Sequence, residues 1–122
     1  MLLRRPRGGR AAQANLASRE AAPWTFGRLS VDTAAREVHV DGDLVELTKT
    51  EYDVLAALAE HRRWVFTRAA LIQAVWGESW VGDEHLVDVH IGHLRRKLGD
   101  DAVAPVFIRT VRGVGYRMGE GQ

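Results

Sequence analysis

The chain has 122 residues, 46% of them apolar, no cysteine and a formal net charge of +1. That length suits one domain with a tail, and the apolar share suffices for one packed core of modest size. The missing cysteines exclude disulfides and thiolate metal sites, and no apolar run approaches the roughly 18 residues of a membrane span.

Residues 1–23 (MLLRRPRGGRAAQANLASREAAP) show no sustained period and read as a linker or tail. The first nineteen residues hold five arginines and no acid, so a basic arm on nucleic acid is the alternative. No apolar signal segment follows the basic start, which makes a cytoplasmic protein the default. The LLRR opening suggests the end of a helix whose body is missing, and hence a piece of something longer. Residues 24–31 (WTFGRLSV) alternate and predict one strand; 37–40 (EVHV) and 44–47 (LVEL) predict two more. Asp41-Gly42 between the latter is a hairpin signal, because a tight turn there needs positive φ.

Thr48-Lys49-Thr50-Glu51 is a capping box, opening a helix to about Glu60 with Tyr52, Leu55, Ala56, Leu58 and Ala59 toward the core. Trp64-Val65-Phe66 reads as a short extended piece. Thr67 is an N-cap for a second helix over 68–76, with Leu71, Ile72 and Val75 inward, and Gly77 stops it. Residues 78–83 form a loop carrying Trp80, and Asp83 can cap the next helix.

That helix, 84–98 (EHLVDVHIGHLRRKL), is the most telling stretch. Val87, Ile91, Leu94 and Leu98 make one apolar stripe at 3.6-residue spacing. His85, Val89, Gly92, His93 and Arg96 lie opposite, with Arg95 and Lys97 on the flanks. Three consecutive cations in the last turn suit the helix macrodipole alone. They equally suit a helix laid on DNA phosphates with small and polar side chains toward base edges. Charge distribution supports the second reading: residues 32–60 hold eight acids and two bases, residues 89–117 six bases and two acids. Gly99 ends the helix. Residues 106–111 predict a strand, Gly113 and Gly115 a tight reversal, and 116–118 the return strand, with 119–122 as a tail. Arg109, Arg112 and Arg117 lie on this hairpin.

Helix, short turn, basic helix and basic hairpin is the layout of a winged helix-turn-helix. Residues 24–118 resemble the DNA-binding effector domain of OmpR/PhoB-type response regulators. The resemblance rests on five blocks in order: Leu47-Thr48-x-x-Glu51-Tyr52; Val65-x-Thr67-Arg68; Val75-Trp76-Gly77; Val87-Asp88-Val89-His90-Ile91-x-x-Leu94-Arg95-x-Lys97-Leu98; and Arg109-Thr110-Val111-Arg112-Gly113-Val114-Gly115-Tyr116. It implies an α+β fold with an N-terminal four-stranded antiparallel sheet, three helices and a C-terminal β-hairpin wing. It further implies the third helix in the major groove of double-stranded DNA, the wing at 107–118 on the minor groove, and head-to-tail pairing on direct repeats. A receiver domain phosphorylated by a sensor kinase would control that pairing. With only residues 1–23 before the first strand, the chain reads as an isolated effector domain.

Carried over residue by residue, the resemblance marks Val89 and His93 for base edges, Thr110 for a phosphate and Arg112 for the minor groove; Arg95 and Arg96 suit phosphates or a groove edge, and Gly92 either allows a close approach to DNA or is simply tolerated. Tyr116 is marked for a phosphate, with packing as the alternative. The loop 77–83, with Glu78, Ser79 and Trp80, corresponds to a contact with RNA polymerase, and a protein-interaction module is the rival reading. Two departures stand out: relatives often carry Arg at positions 92 and 93, and Gly at position 63. His85, His90 and His93 are poorly spaced for a metal site, and Gly113-Val114-Gly115 lacks the context of a phosphate loop. No nucleophile–base pair has active-site spacing, so neither an enzyme nor a cofactor is expected.

Overall fold

The computed structural model describes residues 23–80, 82–101 and 103–121. The expected linker at 1–23, with its basic-arm alternative, lies outside them save for Pro23. Four strands come first: β1 (Trp24–Phe26), β2 (Leu29–Asp32), β3 (Glu37–Val40) and β4 (Asp43–Val45). They form an antiparallel meander in chain order. The single strand expected over 24–31 is thus a hairpin. Gly27, at φ +63°, turns the chain so that Phe26 pairs with Leu29 and both enter the core. A straight strand would send residues 26 and 29 to opposite faces. The Asp41-Gly42 turn is as expected: both residues have positive φ, and Val40 pairs with Asp43.

Helix α1 (Lys49–Glu60) starts at the capping box. The Glu51 amide donates to Thr48 Oγ1 at 3.1 Å and the Thr48 amide to Glu51 Oε1 at 3.0 Å. Arg36 ties the sheet to α1, stacking on the Tyr52 ring and donating to Asp53 Oδ1. A two-residue strand, β5 (Phe66–Thr67), leads into α2 (Arg68–Val75), where Thr67 Oγ1 accepts from the Ala70 amide as expected of an N-cap. A 3-10 turn at Gly77–Ser79 follows. Helix α3 (His85–Leu98) begins where Asp83 Oδ1 accepts from the His85 amide at 2.9 Å. It ends at Gly99, φ +73°, with the Asp100 amide returning to the Arg95 carbonyl.

The wing is β6 (Ile108–Val111) and β7 (Gly115–Met118), and β5 adds to it in the order β5-β7-β6. A Cβ on Gly115 would lie 1.9 Å from the Phe66 carbonyl oxygen, so only glycine lets β5 join. Residues 119–121, expected as a tail, continue the wing: the Gly119 amide donates to the Phe107 carbonyl and the Gly121 amide to the Val106 carbonyl. Gly121 also seats against Phe26 and Gly27, which joins the two sheets. One core runs through all layers, with Phe26, Leu29 and Val31 from the first sheet and Leu55 and Leu58 from α1. Leu71 comes from α2, the α3 stripe follows, and Phe107, Ile108 and Met118 close it from the wing. Among the described residues no helix is long and apolar enough to cross a membrane.

Candidate nucleic-acid interface

Val87, Ile91, Leu94 and Leu98 are buried, as the stripe required. Each such burial contributes about 1.5–3 kcal/mol as an upper bound, so the inner face alone seats α3. The outer face is then free to carry residues that stabilise nothing. Val89 is 47% exposed, and His93 and Arg96 are exposed beside it. Gly92 has no atom within 4 Å of where a Cβ would stand, so packing does not require glycine there.

The three cations in the last turn have different partners. Arg95 donates through Nε (3.1 Å) and Nη2 (2.7 Å) to the Ile108 carbonyl, and Nη2 also reaches Thr110 Oγ1 at 2.7 Å. Its guanidinium lies 5.7 Å from the Tyr116 ring centroid. Arg95, expected on phosphates, here ties α3 to the wing, because the carbonyl of buried Ile108 at the start of β6 matches its fork of donors. Lys97 Nζ donates to Glu51 Oε1 at 2.7 Å, and His93 Nδ1 lies 3.9 Å from Glu51 Oε2. Glu51 is 4% exposed; burial raises its pKa, but the bonds from Lys97 and Thr48 outweigh that and leave it lowered. Among the described residues Arg96 and Arg112 make no ion pair. Arg112 is exposed at the hairpin tip, beside Gly113 at φ +76°.

Tyr116 packs against the rest of the fold. It is 7% exposed, and its hydroxyl donates to Asp88 Oδ1, which also accepts from Arg68 Nε at 2.8 Å. Tyr116 is therefore an internal strut, in line with the packing alternative. One half-buried carboxylate on α3 holds the start of α2 and the return strand of the wing. Burial pushes the Asp88 pKa up, yet the Arg68 and Tyr116 bonds and the Arg68 charge bring it down overall. The Tyr116 phenol is pushed up, first by burial and then by Asp88. Sequence reading missed this knot; the one signal was an acid left inside an otherwise basic helix. It also missed Asp100, whose carboxylate accepts from the amides of Val106, Phe107 and Ile108 and so sets the approach to β6.

Thr110 is exposed on β6, and although Oγ1 accepts from Arg95 its hydroxyl proton remains available to an acceptor. The three histidines of α3 have separate surroundings: His85 Nδ1 lies 2.9 Å from Asp83, His93 is near Glu51, and His90 lies against Trp76. Burial lowers the His90 pKa, with the neighbouring His93 adding to it. In the loop 77–83, Trp80 packs on Trp76 at 4.4 Å between centroids and donates from Nε1 to the Gly82 carbonyl at 3.0 Å. Glu78 is exposed there.

A cationic helix face, a hairpin rigidly tied to it and a helix–turn–helix behind both define the geometry. A family model described as "Transcriptional regulatory protein, C terminal" matches residues 42–118. The chain belongs to this family. It is a winged-helix effector domain of the OmpR/PhoB response-regulator type. It is 49% identical over 92 residues to the transcriptional regulatory protein PrrA of Mycobacterium tuberculosis, covering 75% of this chain and 39% of that one. It is 42% identical over 95 residues to the DNA-binding response regulator MtrA of Mycolicibacterium smegmatis, covering 78% and 42%. The chain thus spans about two-fifths of the length of these curated relatives. The RstA DNA-binding domain of Klebsiella pneumoniae, solved in complex with RstA box, is similar at TM-score 0.74 and 36% identity, covering 81% of this chain and 98% of that one.

Proposed function

We propose that this effector domain binds double-stranded DNA sequence-specifically and regulates transcription, with α3 in the major groove and the wing tip on the minor groove. The carrying observation is the Arg95 tie to Ile108 and Thr110, which makes α3 and the wing one rigid unit. Arg96 and Arg112 project from that unit without an ion pair among the described residues, alongside exposed Val89 and His93. Val89 suits a thymine methyl, Gly92 leaves room for backbone to approach, His93 offers one donor and one acceptor to a base edge, and Arg96 and Thr110 suit phosphates. Arg112 suits a narrow A·T-rich minor groove, whose negative potential favours an inserted guanidinium.

The test is binding to duplexes selected from a random library. Log affinity should fall with log salt at about 0.9 per phosphate neutralised. Arg112→Ala should weaken binding and relax A·T preference at the site edge. Salt-independent affinity would refute the reading. The relatives' names support a response-regulator setting; within it the proposal extends to head-to-tail pairing on direct repeats, controlled by a receiver domain on which a sensor kinase acts. The loop 77–83 has its own supporting observation, since the Trp76–Trp80 contact and the Trp80–Gly82 bond stiffen it around exposed Glu78. A stiff acidic loop suits a contact with RNA polymerase, and Glu78→Ala should reduce transcription while leaving DNA affinity unchanged.

A further inference from the structure

The cations of this domain divide sharply by partner. Arg28 pairs with Asp41, Arg36 and Lys49 with Asp53, Arg68 with Asp88, and Lys97 with Glu51. Arg62, Arg63 and Arg117 make no ion pair among the described residues, yet with Glu120 they line one cavity of ≈550 Å³. Three arginines and one carboxylate share this lining, an excess of positive charge that no ion pair among the described residues cancels. Arg117 Nε reaches only the Met118 carbonyl, at 3.5 Å. Arg109 stands directly across the ladder from Arg117, and like charges so placed repel unless an anion lies between or near them.

The cavity is held in shape. The turn at 61–64 is closed by the Trp64 amide donating to the His61 carbonyl at 2.8 Å, and the two rings stack at 3.8 Å and 9°. Arg62 and Arg63 occupy the two central positions of that turn, and the Arg62 guanidinium rests 4.8 Å from the buried Phe26 ring. Arg117 is on a ladder strand. Alternation along β7 puts Tyr116 toward Asp88 of α3 and Arg117 on the opposite side of the hairpin, so this cavity faces away from the DNA-binding surface. A second cavity of ≈240 Å³ shares Arg62 and Arg63 and is bordered by Trp64, which is 57% exposed.

We propose that the cavity between the 61–64 turn and β7 is a binding site for a phosphate chain, separate from the DNA surface. Three arginines lining one cavity suit the oxygens of a diphosphate, since a guanidinium fork can hold two oxygens in its plane. Such a chain occurs free or on a nucleotide, and Trp64, in the neighbouring cavity that shares Arg62 and Arg63, distinguishes the two, because a base can lie against it. The site does not depend on the DNA-binding reading.

The experiment is a titration of the whole chain with pyrophosphate, ADP and adenosine, followed by NMR of the arginine Nε–H and tryptophan Nε1–H groups. Pyrophosphate and ADP should give saturable shifts at Arg62, Arg63 and Arg117, and adenosine none. A shift of the Trp64 indole with ADP alone assigns the nucleotide; equal binding with Trp64 unmoved assigns the free chain. R63Q/R117Q should weaken pyrophosphate binding about tenfold or more, through loss of charge-assisted bonds. Its operator affinity should be unchanged. Absence of a saturable shift at millimolar pyrophosphate would overturn the proposal. So would shifts appearing first at Arg96 and Arg112. Loss of operator affinity in R63Q/R117Q would assign the cluster to DNA, and loss of pairing between copies of the chain would assign it to a protein interface; either outcome rejects the phosphate site.

Discussion

Asp88 gives the sharpest test of how the recognition surface is assembled. It joins α2, α3 and the wing through Arg68 and Tyr116. Two substitutions separate the arms. Tyr116→Phe removes a buried donor to an ionised acceptor, a bond of about 1.5–3 kcal/mol. The Arg68 arm is weaker, because the Arg68 and Asp88 side chains remain 42% and 31% exposed and solvent screens the pair. Asp88→Ala should therefore cost about 2–4 kcal/mol, most of it through Tyr116. For a domain of this size each kcal/mol moves Tm by roughly 4–8 °C. Thermal and urea unfolding of the two single variants and the double variant form a cycle. Once Asp88 is alanine, Tyr116→Phe should cost almost nothing, giving a coupling of about 1.5 kcal/mol or more. Additive losses would refute the reasoning, since they would mean that Tyr116 acts through packing and Asp88 through something else. Loosening this knot should also weaken DNA binding by letting the wing shift against α3.

Arg95→Ala and Arg96→Ala should behave differently in duplex binding: Arg96→Ala should lower the salt slope by about 0.9, while Arg95→Ala weakens affinity at nearly constant slope. Equal slopes for the two variants would count against the split assignment. Gly92→Ala should raise stability by about 0.5–1 kcal/mol in denaturant unfolding, because a Cβ meets nothing there; reduced DNA affinity in the same variant would mark Gly92 as a point of close approach. Acid should destabilise the domain through Glu51, Asp53 and Asp88, all of lowered pKa. Their contribution is present above the unfolded carboxylate values and is lost as pH falls through the folded ones; urea midpoints against pH should show this, and Glu51→Gln should flatten the curve.

Much of this molecule is decided by local chemistry that a sequence states outright. Thr48 and Glu51 must cap a helix wherever it goes, Asp41-Gly42 can adopt two positive φ angles in a row, and Gly99 can stop a helix in the left-handed region. The spacing of Val87, Ile91, Leu94 and Leu98 assigns an inside and an outside to α3 without reference to the rest of the chain. The hairpin at Gly27 reads in sequence as one strand, although the apolar parity shifts between Phe26 and Leu29. That shift is a turn's signature, though the run WTFGRLSV masks it. Three charged or polar fates were not legible. Arg95, Lys97 and Tyr116 look like surface groups of a basic helix and hairpin, yet each finds a partner 13, 46 or 28 residues away. A hydrogen bond depends on position within a few tenths of an ångström, and only the packed core brings Ile108, Glu51 and Asp88 that close. The sequence by itself therefore determined which face of α3 looks outward and that it is cationic. Tertiary structure alone decided which of those cations brace the wing and which remain for a ligand, because neutralisation is a property of neighbours in space.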